Sequence, residues 1–406
     1  MNAGVFSVLT PPGRGGIAVV RCLGPAAPST IAACFRPPRA VQSPQMSPSL
    51  TGANLREPPP RAPDLPDVGR LAYGHFVDAG GRPLDEIILY REAETVFEVN
   101  CHGGPAAVEA VCRRLTDLGL EQVDPDRLLV LEGAGPIECD AERMLRVART
   151  PLAGRILLDQ RNGALARAID KILKALAAGR SAEAGKELDA LQGRWQSCGR
   201  LLASPPRVAV AGPPNVGKST LVNRLVGAER VITSATPGTT RDYVEADAAV
   251  EGLPVVLVDT AGLREAEKHV EREGVARARR QVAGAAVVVY LLDAAEGVRP
   301  EDEAALGALG DRAVAVWNKA DLAPGPLSPP AALAVSALHG DGMEALGETI
   351  LARLGYRPPA AAGDAVPFTA AQAAAIERAR DALATGDSAA AKERLESLAG
   401  GATAAG

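Results

Sequence analysis

At 406 residues and 47% hydrophobic content, the chain is long enough for two or three domains with sizeable cores, and with only 3% aromatics those cores must be built from Val, Leu, Ile and Ala. A formal net charge of −5 argues against a protein that coats nucleic acid along its whole surface, while leaving room for a local basic patch. The six scattered cysteines form no C-x-x-C pair, the N-terminal residues lack a basic and apolar leader pattern, and no apolar run approaches the roughly 20 residues that span a bilayer, so a soluble cytoplasmic protein with reduced thiols and no membrane contact is expected.

Residues 5–21 read as a strand, a Pro-Pro-Gly-Arg-Gly-Gly turn and a second strand from Ile17 to Arg21. The stretch 36–67 then carries nine prolines among small polar residues, which cannot support a packed core, and a disordered surface insertion is expected there. Strands are expected at 71–77, 86–90 and 96–100, and a helix over 105–118 from the spacing of Val108, Val111, Leu115 and Leu118. These elements suggest an α/β domain over residues 1–123.

Residues 124–203 are almost wholly helical in pattern, with Leu157, Ile169, Ile172 and Leu176, then Leu188, Leu191 and Trp195 after a break at Gly179. Beyond Leu202 apolar runs at 208–211, 255–259, 286–293, 313–317 and 332–336 alternate with helical segments, which implies a parallel sheet covered on both faces over residues 204–358. Helical pattern returns in 362–406, where Thr369 and Gln372 fit a capping box, Gly386 a helix end, and Asp387 or Ser388 the next cap. A helical bundle interrupted by an inserted nucleotide domain follows.

The inserted segment carries the chemistry. Gly212, Gly217, Lys218 and Ser219 satisfy G-x-x-x-x-G-K-[ST] between a strand and a helix, where backbone N–H groups, the helix N-terminus and a lysine surround a phosphate. Asn215, Val216 and Thr220 complete that loop. Thr239-Thr240-Arg241-Asp242 offers hydroxyls for Mg²⁺ beside Ser219, and Asp259-Thr260-Ala261-Gly262 supplies a carboxylate for a magnesium-bound water and an N–H for the γ-phosphate. In Asn318-Lys319-Ala320-Asp321 the aspartate can accept from N1–H and the 2-amino group of guanine, and Ser336-Ala337 closes the base pocket. The four motifs in order, each at a strand's carboxyl end, indicate GTP. Leu263 stands where many GTPases carry a water-orienting glutamine. Asn215 then offers an oxygen beside the nucleotide for a monovalent cation, or else simply supports the loop turn.

The chain resembles the MnmE (TrmE) family of tRNA-modifying GTPases through Gly-Pro-Pro-Asn-Val-Gly-Lys-Ser, Pro-Gly-Thr-Thr-Arg-Asp, Asp-Thr-Ala-Gly-Leu-Arg and Asn-Lys-Ala-Asp, and, near the N-terminus, through Pro-Pro-Gly-Arg-Gly-Gly-Ile-Ala-Val-Val-Arg and Glu-Val-Asn-Cys-His-Gly-Gly. The resemblance implies potassium activation with Asn215, Ser234, Thr236 and Thr239 as cation ligands, Mg²⁺ on Ser219 and Thr240, and Glu271 as the residue that positions water. It also implies a homodimer, a flavoprotein partner and tRNA wobble uridine as the group modified. The family's one-carbon donor, 5-formyl-tetrahydrofolate, would meet Arg21 and Glu98. A lysine that the family places just after its N-terminal domain has no counterpart in 131–136, and its closing Cys-x-Gly-Lys is replaced by Gly-Ala-Thr-Ala-Ala-Gly, so weakened or lost folate binding is expected. A second reading is a GTP-driven switch or scaffold without one-carbon chemistry. A ribosome-assembly GTPase fits less well, for no KH-type or basic-aromatic RNA-binding pattern accompanies the G motifs.

Overall fold

The computed structural model describes residues 4–10, 15–38, 65–228, 245–259, 284–323 and 333–400. Two units separate by their internal contacts, Met1–Ala134 and Gly135–Gly406.

In the first unit β1 (Val5–Val8), β2 (Ile17–Leu23), β3 (Phe35–Arg36), β4 (Arg70–Val77), β5 (Pro83–Ala93), β6 (Val96–His102) and β7 (Glu121–Gln122) form one sheet in the order β3-β4-β5-β6-β2-β1-β7. Every neighbouring pair is antiparallel except β1 with β7. Alternation along the strands sends Val20, Cys22, Ile87, Leu89, Phe97 and Val99 to one face, where the helices Ala27–Cys34 and Pro105–Asp117 cover them with Ile31, Val111 and Leu115. The sequence reading assigns no element to the Ala27–Cys34 helix. It spans only eight residues, too short to show an apolar period beside the prolines. The expected insertion at 36–67 falls mostly on 39–64, outside the described residues. Asp124 caps a further helix, Pro125–Leu131, by accepting from the Arg127 N–H at 2.9 Å.

In the second unit the helices Pro136–Leu145, Pro151–Arg161, Ala164–Ala177 and Ser181–Arg194 precede a second sheet, and Ala370–Ala384 and Ser388–Ala399 follow it. Ile137, Leu165, Ile169, Ile172 and Leu188 share one core with Phe368, Ile376 and Leu395, so the last helices complete the bundle that the first began. Thr369 and Gln372 form the reciprocal cap that the sequence suggests, and Asp387 caps the last helix. Gln160, fully buried, fastens the returning chain: its Nε2 donates to the Asp364 carbonyl at 3.0 Å and its Oε1 accepts from the Val366 N–H at 3.1 Å.

The second sheet comprises β8 (Arg207–Ala211), β9 (Glu245–Val250), β10 (Leu253–Asp259), β11 (Val287–Asp293), β12 (Ala313–Asn318) and β13 (Leu333–Ala334), in the order β13-β12-β11-β8-β10-β9. All but β9 run parallel. Each of the seven residues of β11 is buried, which is why it reads as an unbroken apolar run. Sequence analysis does not find β9, because its alanines and acidic residues lack strand character. A hairpin through Glu251 (φ 47°) and Gly252 (φ 81°) brings it onto β10 as the antiparallel edge. The Ser181–Arg194 helix continues into a π-helical turn, Trp195–Gly199, that no sequence pattern announces. Among the described residues no helix is long and apolar enough to cross a membrane.

Candidate nucleotide-binding site

The phosphate loop leaves the buried strand β8 and enters the helix Lys218–Ala228, whose first backbone bond runs from the Leu221 N–H to the Gly217 carbonyl at 3.0 Å. Gly212 sits at φ 139°, and a Cβ there would lie 2.5 Å from the Leu291 carbonyl oxygen of the adjacent strand. Glycine is therefore required where the loop turns away from the sheet. Gly217 sits at φ 97°, and a Cβ on it would collide with Asn318 Nδ2. Lys218 is buried, with its Nζ donating to the carbonyls of Gly212 at 3.0 Å and Pro213 at 2.5 Å, so the ammonium is held inside the loop it closes. Asn215 adopts φ 59° with its side chain in solvent; asparagine tolerates this left-handed geometry better than most residues. Ser219 and Thr220 are exposed on the first helical turn.

The base-reading segment follows β12. Asn318 is almost fully buried and works in two directions: its Nδ2 donates to the Val216 carbonyl at 2.6 Å, and its Oδ1 accepts from the Ala337 N–H at 3.0 Å. One side chain thus ties the phosphate loop, the end of β12 and the 336–337 turn together. Lys319 adopts φ 61° and is held there by an ion pair with Asp293, Nζ to Oδ2 2.6 Å, while Ala320 N–H donates to the Val335 carbonyl at 3.1 Å. Asn215 and Lys319 are two of the three non-glycine residues at positive φ among those described, so unusual backbone geometry gathers at this site.

Asp321 projects from the short turn Ala320–Leu322, with His339 Nε2 at 3.7 Å. A hydrogen bond from the Ser336 hydroxyl holds the Asp321 carboxyl below its ordinary value against an opposing effect of burial, with lesser help from its own backbone N–H and from His339. An ionised aspartate only accepts hydrogen bonds, which suits two adjacent donors on a guanine edge. Ser336 Oγ also accepts from the His339 N–H at 3.2 Å, and Arg224 braces the same turn, Nε to the Ala337 carbonyl at 2.6 Å.

The structure thus brings Gly212, Val216, Gly217, Lys218, Asn318, Lys319, Asp321, Ser336 and Ala337 to one end of the sheet. Ser234, Thr236, Thr239, Thr240, Gly262, Leu263 and Glu271 lie outside the described residues. Asp259 ends β10, level with Val210 on β8. Sequence reasoning missed Asp293 and Arg224. An aspartate closing a strand next to β12 was the available signal for the first; nothing local marks the second.

Arg21 and Glu98, the folate candidates, face each other across β2 and β6. Arg21 is saturated with carboxylates: Nη1 lies 2.6 Å from Glu92 and 2.5 Å from Glu98, and Nε 2.5 Å from Glu132. Burial by itself would lower the Arg21 pKa, but hydrogen bonds and charge from Glu92 and Glu132 more than offset it, so the guanidinium is held firmly charged.

A phosphate loop joined to a base-reading Asn-Lys-x-Asp segment on a mainly parallel sheet defines a GTP-binding, GTP-hydrolysing domain. Residues 207–319 match the family described as 50S ribosome-binding GTPase, and residues 4–125 match the GTP-binding protein TrmE N-terminus. The tRNA modification GTPase MnmE of Parasynechococcus marenigrum is 35% identical over 387 residues, covering 85% of this chain and 80% of that protein. That of Chloroflexus aurantiacus is 33% identical over 425 residues, covering 94% and 89%. Among solved structures, Aquifex aeolicus Era bound to GDP·AlF4⁻ is 30% identical, covering 44% of this chain and 66% of that one, at a TM-score of 0.30, too low to add to the fold argument. The chain belongs to the MnmE family of tRNA modification GTPases.

Proposed function

We propose that this chain is a potassium-activated GTP hydrolase that acts, with a flavoprotein partner, in the modification of tRNA wobble uridine. The observation that carries the reading is the Asn318 bridge between phosphate loop and base-reading turn, in a chain whose N-terminal residues match the TrmE N-terminus. Gly212, Asn215, Val216, Gly217, Lys218, Ser219, Thr220 and Gly262 would surround the phosphates. Asn318, Lys319, Asp321, Ser336 and Ala337 would take guanine. Ser219 and Thr240 would hold Mg²⁺, with Asp259 on a water of that ion, and a hard cation suits the serine hydroxyl at the first turn of the helix. Asn215, Ser234, Thr236 and Thr239 would hold K⁺, and Glu271 would orient the attacking water where Leu263 cannot.

The chain would act as a homodimer in the cytoplasm, organised as domains 1–123, 124–203 with 362–406, and 204–358. Support for pairing comes from the uncovered face of the first sheet, where Ile17, Leu71, Tyr73 and Ile88 are 62%, 66%, 50% and 43% exposed. The test of the catalytic part is GTP turnover in K⁺ against Na⁺. Faster turnover in K⁺, lost in Glu271→Ala while GTP affinity is kept, supports it; turnover indifferent to the cation removes the potassium assignment.

A second reading rests on Arg21. Three carboxylates occupy its guanidinium, which favours a chain that has kept the GTP-driven switch and lost the 5-formyl-tetrahydrofolate site.

A further inference from the structure

A cavity of about 770 Å³ opens where the inserted domain joins the helical bundle. One wall is the end of the Ser181–Arg194 helix and its π-helical turn; the other is the returning chain from Gly355 to Val366. These are the outgoing and incoming connections of the G domain. They meet directly at this point: the Arg357 N–H donates to the Ser197 carbonyl at 3.0 Å, and a Cβ on Gly199 would strike the Pro367 carbonyl, so the two limbs lie in contact. The π-helical turn at such a junction is itself of a kind that gathers at functional sites.

The lining is cationic in a chain of net negative charge. Arg194, Arg200 and Arg357 line the cavity against one carboxylate, Asp364. None of the three arginines pairs with a carboxylate among the described residues. Arg194 donates to the Ala365 carbonyl at 3.2 Å and Arg200 to the Gln196 and Leu354 carbonyls at 2.6 and 3.0 Å, which aims both guanidinium groups without neutralising them. Asp364 is already used, accepting from the Ala361 N–H at 3.0 Å. Uncompensated guanidinium groups on a concave wall match the oxygens of a phosphate ester, to which arginine donates two parallel bonds. The volume falls within the range of small-molecule sites, about 300–1,000 Å³.

We propose that this junction cavity is a second ligand site, distinct from the GTP site, that binds a small phosphate-bearing anion. Because its walls are the two limbs that connect the G domain to the bundle, an anion held by Arg194 and Arg357 would clamp them together. Any change that nucleotide makes in the spacing of the limbs would then alter anion affinity, and the anion would alter nucleotide affinity by the same factor.

The test is calorimetric titration of the full chain with inorganic pyrophosphate, after saturation with GDP so that the phosphate loop is filled. The proposal expects one saturable site, weakened roughly tenfold or more in Arg357→Gln, the loss of a charged hydrogen-bond donor. The exposed Arg357 guanidinium makes no hydrogen bond or ion pair among the described residues, so this variant should keep its melting temperature and its GTP turnover. Arg194→Gln should weaken binding as well; if it fails to fold, Arg357→Gln carries the test alone. No saturable binding to the GDP-bound chain, or equal affinity in Arg357→Gln, would overturn the proposal. Arg357-dependent binding of tRNA without binding of pyrophosphate would also overturn it, in favour of a nucleic-acid contact. Failure here leaves the GTPase reading untouched, since the phosphate loop is occupied throughout.

Discussion

The side-chain amide of Asn318 donates to the main-chain carbonyl of Val216 at 2.6 Å, so the segment proposed to read the base and the loop proposed to hold the phosphates are one hydrogen-bonded object. The bridge depends on Gly217, since any side chain there would occupy the place of the Asn318 amide.

Asn318→Ala should therefore weaken GTP binding by breaking this bridge, beyond any loss of contact with guanine. It strands the Ala337 N–H and the Val216 carbonyl in a buried setting, at a cost of about 1–3 kcal/mol. Calorimetry should show lower affinity for GTP and GDP alike, with a lower melting temperature. Gly217→Ala should produce the same affinity loss through collision and backbone strain.

Asp321 gives a prediction in pH. Its depressed pKa means that the carboxylate persists to lower pH than an ordinary aspartate, and guanine recognition that needs the ionised form is lost only as pH falls through that depressed value. Ser336→Ala removes the hydrogen bond that contributes most to the depression, so GTP affinity in this variant should begin to fall at a higher pH than in the parent chain. Superimposable pH profiles would show that Ser336 does not tune Asp321. Asp321→Ala should abolish the preference for GTP over ATP at any pH.

Gln160 tests how the bundle grips the connection that returns from the G domain. Gln160→Leu is close in size but leaves the Val366 N–H and the Asp364 carbonyl without their partner, and should cost about 2–3 kcal/mol in a denaturant titration. A variant as stable as the parent would mean that water replaces the amide.

For Arg21, the account built on its three carboxylate partners expects no saturable heat on titration with 5-formyl-tetrahydrofolate. Tight binding would return the chain to full one-carbon chemistry. Arg21→Gln, which leaves Glu92, Glu98 and Glu132 facing one another, should lower the melting temperature.

The motifs of the proposed nucleotide site were readable because their chemistry is local. Gly212 to Ser219 must be contiguous to wrap a phosphate, and Asn318 to Asp321 contiguous to turn from a strand onto a base. What escaped reading depends on partners distant in the chain. Glu132 meets Arg21 from the end of a helix that seven further strands and helices separate from β2, and Arg224 reaches the Ala337 carbonyl across the site. The edge strand Glu245–Val250 was unreadable for a different reason: its polar and alanine residues take strand form because β10 offers free backbone groups, not through any preference of their own. Gly199, which ends the π-helical turn, packs where a side chain would strike the Pro367 carbonyl, again a neighbour distant in the chain.

The most direct measurement is the nucleoside composition of tRNA from cells that lack this gene. The account predicts loss of the modified wobble uridine, restored by the intact gene and not by Lys218→Ala, which removes the cation that closes the phosphate loop. Unchanged wobble uridine in those cells would contradict it.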